Sequence, residues 1–262
     1  MNVDAQMMTF GEHLEVFRRM LLRVLVVIVM FAIAVFCCKD FTFDIILAPS
    51  KSDFCLYRWI EQLFNWVGYD FHFSPFDVAL IATDLSSQFM THISTSLYLG
   101  FLCASPYLVF ELFLFISPAL YENERKYSIP ILLIVYLLFV AGVLMSYFIL
   151  FPISFRFLGT YSVAEQVHST ITLDSYISTF VTLTFVLGII FQLPVIAFFL
   201  AKIGVIDGKV LAKYRQYAFL FIMVVAAIIT PPDLMTLVLV TIPLYLLYEV
   251  SIVVAKRVNK QI

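Results

Sequence analysis

Long apolar stretches alternate with short polar segments along this chain of 262 residues. A bilayer's hydrocarbon core is crossed by a helix of about 20 apolar residues, and six stretches come near that length. They cover residues 21–38, 93–116, 129–150, 176–201, 215–230 and 234–254. Lipid offers backbone groups no hydrogen-bond partners, so each stretch is expected to be helical. The pattern predicts an all-α membrane protein with six transmembrane helices.

Two of the polar segments are long enough to carry structure of their own. The segment 39–92 is rich in aromatic residues and interrupted by proline and glycine, which predicts short helices at the membrane interface. Thr83-Asp84 predicts an N-cap for the helix that enters the second span. The segment 151–175 predicts a second cap on the same side, and Asp174-Ser175 at its end predicts another N-cap.

The last two predicted spans form a short hairpin. Residues 215–230 would rise only about 24 Å as a helix, against a hydrocarbon core of about 30 Å. The connector is Thr230-Pro231-Pro232-Asp233, in which proline ends one helix and Asp233 caps the next. Such a hairpin must thin the bilayer, use polar flanks or pack against a partner.

Composition agrees with an integral membrane protein. The chain is 63% hydrophobic and 13% charged, and its mean hydropathy is +1.01. We expect a single integral membrane domain over residues 1–262, with no appended soluble module. Acidic residues precede the first apolar run, and no small-residue cleavage site follows it, so the first span is not expected to be a cleaved signal peptide.

Basic residues collect in alternate gaps between the spans. One side holds twelve: Arg18, Arg19, Arg23, Arg125, Lys126, Lys202, Lys209, Lys213, Arg215, Lys256, Arg257 and Lys260. The other side holds four: Lys39, Lys51, Arg58 and Arg156. By the positive-inside rule, both termini are expected in the cytoplasm.

This topology places three cysteines on the oxidising side. Cys37, Cys38 and Cys55 lie near or beyond the outer end of the first span. Spacing alone does not place their Cα atoms within bridging distance, so a disulfide from Cys55 to Cys37 or Cys38 and three free thiols remain alternatives.

Three polar residues stand out within the predicted spans: Glu111, Gln192 and Glu249. Glu111 and Glu249 are about five residues, or roughly 7 Å, from the cytoplasmic ends of their helices. They either extend to the interface or pair with a nearby Lys or Arg. Gln192 lies deeper, at about 14 Å. It either makes an interhelical hydrogen bond or belongs to a polar pocket that another helix enters.

Acidic residues also occur in the cytoplasmic segments. Thr9 and Glu12 fit a capping box at the start of the first helix. Glu15 stands four residues before Arg19, which favours an intrahelical ion pair. Glu122 and Glu124 lie in the loop after the second span, where solvated carboxylates are the simplest interpretation.

Motifs of the common enzyme classes are absent from the sequence. It lacks a P-loop, an HExxH zinc motif and a GxSxG elbow, and its four histidines have no ligand spacing. No cofactor and no enzymatic activity are expected. A small-solute or ion transporter remains an alternative, although it predicts inverted repeats or broken helices around a midplane site. An intramembrane enzyme would need a nucleophile and a base at depth, and Gln192 is a poor candidate.

Several segments together resemble the TatC family, the multi-spanning receptor subunits of twin-arginine protein translocases. The segments include Leu47-Ala48-Pro49, Ile81-Ala82-Thr83-Asp84, Phe115-Ile116-Ser117-Pro118-Ala119-Leu120-Tyr121 with Glu124-Arg125, Phe191-Gln192-Leu193-Pro194-Val195, Thr230-Pro231-Pro232-Asp233, and Ile242-Pro243-Leu244-Tyr245 with Glu249. The resemblance extends along nearly the whole chain, and the F-x-x-P-A-L-Y-x-x-E-R run is its most specific part.

The resemblance implies a glove-shaped six-helix bundle in the cytoplasmic (inner) membrane. It implies binding of twin-arginine signal peptides and assembly with single-span TatA-like and TatB-like proteins to export folded cargo with the proton-motive force. It also implies a homo-oligomer within a larger complex, in contact with membrane lipid and without nucleic acid.

The resemblance assigns roles to residues on the cytoplasmic side. Glu124 matches the family's signal-binding glutamate, and Glu15 lies in the N-terminal acidic motif. The second glutamate usual in that motif is Val16 here, which leaves Glu15 or Glu12 as the acceptor in this part of the site. The further residues expected at the signal-peptide site are Arg18 and Phe115.

Other matched positions are expected to serve partners or the fold. Contact with a partner helix is implied for Gln192, Glu249, Pro231, Pro232 and Asp233. Structural roles in loops are implied for Pro49 and Pro118. Glu111 stands where the family usually has Gln.

The chemistry of the residues fits this assignment. Each guanidinium of an arginine pair bonds best to a carboxylate through two charge-assisted hydrogen bonds. Glu124 from one loop and Glu15 from the first helix would supply two such acceptors. A Lys pair lacks the planar fork and should bind more weakly.

Overall fold

The computed structural model describes residues 10–68, 79–116, 128–162, 170–231 and 233–259. The helices are α1 (Phe10–Cys37), α2 (Lys39–Leu47), α3 (Cys55–Trp66), α4 (Ser87–Ile116), α5 (Ser128–Met145), α6 (Phe151–Thr160), α7 (Leu173–Ile190), α8 (Leu193–Lys202), α9 (Gly208–Lys213), α10 (Arg215–Ile229) and α11 (Leu234–Val258). Two short strands, β1 (Leu80–Ile81) and β2 (Ile171–Thr172), pair in parallel. The chain divides into two compact units, the first formed by residues 1–39 and 92–136 and the second by residues 40–91 and 137–262.

Five helical stretches in the described ranges are long and apolar enough to cross a membrane. They are Leu14–Cys37, Ser87–Leu112, Pro130–Thr160, Leu173–Lys202 and Leu234–Val258. Much of their apolar surface is exposed: only 17% of the apolar window of the first stretch is buried inside the protein. Exposing so large an apolar surface to water is unfavourable, whereas contact with lipid is not, so these helices suit a membrane. The predicted fifth span, 215–230, corresponds to the shorter α10.

The third membrane-spanning stretch is longer than predicted. A π-helical turn, Ser146–Leu150, joins α5 to α6, and the helical path continues to Thr160. The helical path therefore extends ten residues beyond the predicted end of this span at residue 150. Pro152 follows the π turn by two residues, so the residue without a backbone N–H lies where the hydrogen-bonding pattern of the helix changes. A π turn also shifts the backbone bonding by one residue.

A second prediction needs correction at the start of α7. The N-cap is Thr172, whose hydroxyl accepts a hydrogen bond from the backbone N–H of Ser175 at 3.2 Å. Asp174, the predicted cap, lies in the first turn instead. The N-terminal end of a helix dipole favours a carboxylate there, so Asp174 still suits its position.

In the first unit, α1 and α4 pack as an antiparallel pair. Phe36 stacks on His92 with ring centroids 4.1 Å apart at one end of the pair. In the middle, Gly100 lies directly against Ala32: a Cβ added to Gly100 would stand 2.7 Å from the Ala32 nitrogen. Two small residues allow this close approach.

In the second unit, tyrosines from the long helices anchor the short helix α2. The Tyr176 hydroxyl donates to the Ile46 carbonyl at 2.7 Å, and the Tyr147 hydroxyl donates to the Ile45 carbonyl at 2.8 Å. Carbonyls at the end of a helix have no partner within it, so these bonds satisfy them. Pro49, which follows α2 in a turn of 3-10 helix, is buried.

Tyr57 anchors α3 through its own hydroxyl group. Its side chain is buried, and its hydroxyl donates to the Pro152 carbonyl at 2.9 Å. Burial raises the pKa of Tyr57 to about 12, because the apolar surroundings disfavour the phenolate.

Helices α8, α9 and α11 pack closely around Ala201, Ala255 and Val258. A Cβ on Gly208 would stand 2.6 Å from the backbone nitrogen of Lys256, so α9 lies directly on α11. Asp207 caps α9: it accepts from the backbone N–H of Lys209, and from the Asn259 side chain at 2.9 Å. These two donors lower the pKa of Asp207.

All four cysteines are free thiols in the structure. Of the alternatives that the sequence left open for Cys37, Cys38 and Cys55, the free thiols are the one observed.

Candidate functional site: carboxylates at the helix ends

The N-terminal end of α1 lies beside the C-terminal end of α4. Phe17 and Phe115 bring their rings to 5.5 Å. Glu124 follows Ile116, the last residue of α4, by eight residues in the sequence. Phe115, assigned to the signal-peptide site, is thus placed against the helix that carries Glu15.

Glu15 is an exposed carboxylate on α1. One of its oxygens accepts a hydrogen bond from Arg19 at 2.6 Å, and the side chain is 53% exposed. The predicted intrahelical pair is confirmed. Arg18 and Val16 beside it are also exposed. The polar and charged groups at this end of α1 are therefore accessible.

Four predicted site residues, Pro232 among them, lie partly or wholly outside the described part of the chain. Glu124 and Pro118 fall in the range 117–127. Glu12 lies within α1, but its side chain is not among those described. Their predicted roles remain predictions.

Glu111 on α4 forms a bidentate ion pair with Arg23 on α1, an arrangement termed a fork below. Arg23 donates from Nε to Oε1 at 2.9 Å and from Nη2 to Oε2 at 2.7 Å. Tyr107, one turn earlier on α4, donates its hydroxyl to Oε1 at 2.6 Å. Of the two alternatives for Glu111, pairing with a nearby basic residue is confirmed. Its side chain is only 6% exposed, so the carboxylate is occupied.

A second fork of the same design joins α10 to α11. Arg215 donates from Nε and Nη2 to the two oxygens of Glu249 at 2.7 and 2.8 Å. Tyr245, again one turn earlier, donates its hydroxyl to Oε1 at 3.1 Å. The resemblance assigns Glu249 to contact with a partner helix, and this stays a prediction. In the structure Glu249 forms this internal pair.

The surroundings of these pairs distinguish Glu15 from Glu111. An exposed pair four residues apart on a helix, such as Glu15–Arg19, stabilises by about 0.3–0.5 kcal/mol. The Glu111 carboxylate is nearly buried while Arg23 is 55% exposed, so this pair lies between an exposed and a buried one, and removing Arg23 would leave a covered carboxylate without its partner. An incoming guanidinium can therefore take Glu15 at small cost but not Glu111.

The hairpin between α10 and α11 reverses at Thr230 and Pro231. The α10 helix ends at Ile229, and Asp233 caps α11 by accepting from the Thr236 N–H at 2.6 Å. The predicted cap is confirmed, while Pro232 lies outside the described residues. With 15 residues, α10 rises only about 22 Å.

Gln192 stands where the fourth span is interrupted. Helix α7 ends at Ile190 and α8 begins at Leu193, and the Gln192 carbonyl accepts from the backbone N–H groups of Val195 and Ile196, both at 3.0 Å. The Gln192 side chain is half-buried.

The sequence reasoning missed the residues that complete the forks. Tyr107 and Tyr245 each precede their glutamate by four residues, a spacing that places both side chains on one helix face. That Y-x-x-x-E pattern could have been found in the sequence. The partners Arg23 and Arg215 lie on other helices, and no local pattern identifies them.

The long apolar helices, with polar sites at their ends, define a multi-pass membrane protein. A model of the family described as "Sec-independent protein translocase protein (TatC)" matches residues 12–243. A TatC protein of Blattabacterium sp. subsp. Periplaneta americana (strain BPLAN) is 35% identical over 258 residues, which are 97% of each chain. TatCy of Bacillus subtilis (strain 168) is 36% identical over 184 residues, covering 70% of this chain and 72% of that protein.

A solved structure indicates the same family. The crystal structure of the twin arginine translocase receptor TatC matches with a TM-score of 0.74 and 32% sequence identity, covering 95% of this chain and 100% of the other. This chain belongs to the TatC family of protein translocase components.

Proposed function

We propose that this chain is the receptor subunit of a twin-arginine translocase. It binds twin-arginine signal peptides on the cytoplasmic side of the inner membrane, where both termini lie. It assembles with TatA-like and TatB-like single-span proteins and exports folded cargo with the proton-motive force. Family membership supports the assignment.

The observation that carries the proposal is the exposed carboxylate of Glu15 at the end of the α1–α4 pair. Glu124 follows the end of α4 by eight residues in the sequence, and we propose it as the second carboxylate for the arginine pair. The exposed Arg19 pair is weak and can open. Each new charge-assisted bond would contribute about 1.5–3 kcal/mol.

The test uses the purified complex and a fluorescent signal peptide with either an Arg-Arg or a Lys-Lys pair. We expect Arg-Arg to bind more tightly, because lysine lacks the bidentate fork. Glu124→Ala should weaken Arg-Arg binding about ten- to a hundredfold and stop export while the protein stays inserted. Glu122→Ala, in the same loop, is the matched control and should bind normally. Equal binding of the two peptides by the unmodified complex would overturn the proposal.

We also propose that a partner helix packs along the short hairpin and near Gln192. In this proposal Pro231 and Pro232 keep the hairpin short, and Asp233 caps its second helix. The Arg215–Glu249 ion pair links the two helices at the other end. A groove of about 240 Å³ between α10 and α11 is lined by apolar side chains such as Phe219, Met223 and Val238.

Gln192 supplies a polar contact for that helix. An interhelical hydrogen bond in lipid contributes about 0.6–2 kcal/mol, enough to bias docking. We expect Gln192→Leu to weaken site-specific crosslinking to the single-span partner and to slow export. Gln192→Glu retains a polar group and should be tolerated. Unchanged crosslinking in Gln192→Leu would remove this residue from the interface.

The alternative of a small-solute transporter predicts helices broken near a binding site. The fourth span is interrupted at Gln192, but membership of the TatC family favours the translocase.

A further inference from the structure

Both tryptophans of the chain lie on one short helix of the second unit. Trp59 and Trp66 belong to α3, and the sequence contains no other tryptophan. With Leu63 between them, they follow spacings of four and three residues, which places the three side chains on one face of the helix. Trp59 is 72% exposed, Leu63 65% and Trp66 87%. These three residues form the α3 apolar face.

The remaining sides of α3 have other surroundings. Tyr57 points into the protein, where it is buried and donates its hydroxyl to the Pro152 carbonyl at 2.9 Å. Arg58 and Asn65 are exposed on a side of the helix turned away from the α3 apolar face. Because the Tyr57 contact anchors the helix, α3 cannot turn its apolar face inward without breaking that bond and exposing a buried ring.

The anchor at Pro152 determines the level of α3 relative to the membrane. Pro152 belongs to the third membrane-spanning stretch, which begins at Pro130. From Pro130 to Pro152 a helix rises about 33 Å, and the hydrocarbon core is about 30 Å thick. A helix bonded to the Pro152 carbonyl therefore lies near the boundary between hydrocarbon and headgroups.

The exposed apolar surface of the third stretch reaches the start of α3. Phe148 and Ile149, in the π turn just before Pro152, are exposed. Phe54, the residue before α3, stacks on Phe148 with ring centroids 6.1 Å apart. The helix thus begins beside apolar side chains of a stretch that faces lipid. Tryptophan favours this layer of the membrane, because its ring is apolar while its N–H can still reach water.

We propose that the α3 apolar face inserts into the headgroup layer of the leaflet at this end of the third stretch. The positive-inside rule predicts that leaflet to be the outer one. The partner is phospholipid of the membrane that the chain itself spans. Trp59, Leu63 and Trp66 lie among the ends of the acyl chains nearest the headgroups, while Arg58 and Asn65 remain in water.

This inference goes beyond the interfacial helices that the sequence predicts, because it assigns the lipid contact to one face of one helix. It does not depend on the binding of signal peptides. A failure of the proposed function would therefore leave it standing, and its own failure would leave the proposed function untouched.

Intrinsic fluorescence tests the proposal directly, because all tryptophan emission of the chain comes from the α3 apolar face. The full-length protein is placed in phosphatidylcholine vesicles whose lipids carry a nitroxide quencher either near the headgroup or at the end of the acyl chain. Iodide, on both sides of the membrane, reports access from water. We expect emission at a shorter wavelength than that of tryptophan amide in water, and weaker quenching by iodide. The nitroxide near the headgroup should cause the larger loss of emission. Trp59→Phe and Trp66→Phe, measured separately, should each show the same result for the remaining ring.

A matched control moves the probe to the other side of the same helix. Asn65→Trp, combined with Trp59→Phe and Trp66→Phe, keeps the apolar face and leaves one tryptophan on the polar side. Its emission should be quenched more by iodide and less by either nitroxide than that of the unmodified protein.

Three results from the unmodified protein would overturn the proposal, whether or not the control variant folds. Iodide quenching as strong as that of tryptophan amide, with none from the lipids, would place the face in water. Protection from iodide and from both nitroxides would show that protein, such as a second copy of the chain, covers the face. A larger loss from the nitroxide at the chain end would place it in the hydrocarbon core instead of the headgroup layer.

Discussion

At the scale of single residues, the carboxylates of this chain differ chiefly in exposure and in how many hydrogen bonds they already accept. Glu15 is exposed and weakly paired, whereas Glu111 is nearly buried and accepts three hydrogen bonds. A carboxylate can bind a new guanidinium only if its present partner leaves at small cost. Exposure therefore separates a candidate binding residue from a structural one of the same type.

Tyr57 gives a residue-scale prediction. Tyr57→Phe keeps the ring but removes the bond to the Pro152 carbonyl, so we expect it to lower the free energy of unfolding by about 1 kcal/mol. The pKa of Tyr57 is raised from 10.0 to about 12 by burial. The wild-type advantage should thus be complete below pH 10 and be lost as the pH rises through about 12. Thermal unfolding of both proteins at about pH 9 and pH 12 measures this, and an unchanged difference would contradict it.

At the scale of helices, small residues decide which pairs approach closely. Gly100 lies on Ala32 in the first unit. In the second, a Cβ on Gly142 would stand 2.7 Å from the Leu187 carbonyl oxygen, and one on Gly188 would stand 2.8 Å from the Phe139 ring. Helices in lipid gain from packing rather than from hydrophobic exclusion, so such contacts matter more there.

Gly100→Ala tests this packing. The added methyl would meet Ala32 backbone atoms at 2.7 and 2.8 Å, so the helices must separate. We expect a loss of about 1–3 kcal/mol in the free energy of unfolding, as for other overpacked sites. Gly11→Ala is the control, because nothing lies within 4 Å of that position. A helix normally gains about 0.5–1 kcal/mol from Gly to Ala, so equal stabilisation of both variants would show that the contact is absent.

At the scale of the whole molecule, the basic residues predict its orientation. The sides of the membrane follow from the distribution of Lys and Arg, because moving these charges across lipid is costly. Cys38, near the outer end of the first span, and Val205, between α8 and α9, lie on opposite predicted sides and are both exposed. They offer a direct test of the topology.

Two single-cysteine proteins make that test, one keeping Cys38 and the other carrying Val205→Cys, with the remaining cysteines replaced by serine. A membrane-impermeant maleimide should label Cys38 in intact cells. It should reach the V205C protein only after permeabilisation, which also provides the control for accessibility. The reverse pattern would place both termini outside the cytoplasm.

The sequence alone determined the features that depend on near neighbours in the chain. Apolar length predicts the spans because lipid requires a local helix with satisfied backbone bonds. The Asp233 cap and the Glu15–Arg19 pair follow from spacings of three and four residues. The family resemblance was also readable, because its motifs are continuous segments.

The tertiary structure decided the pairings between distant segments. Arg23 meets Glu111 across 88 positions and Arg215 meets Glu249 across 34. Several basic residues could have served either glutamate, and which one does depends on the register of two helices. That register follows from contacts such as Gly100 on Ala32, which no periodic pattern reveals. Which carboxylates stay free for a ligand is therefore a property of the packed helices, because packing determines which of them are already paired and buried.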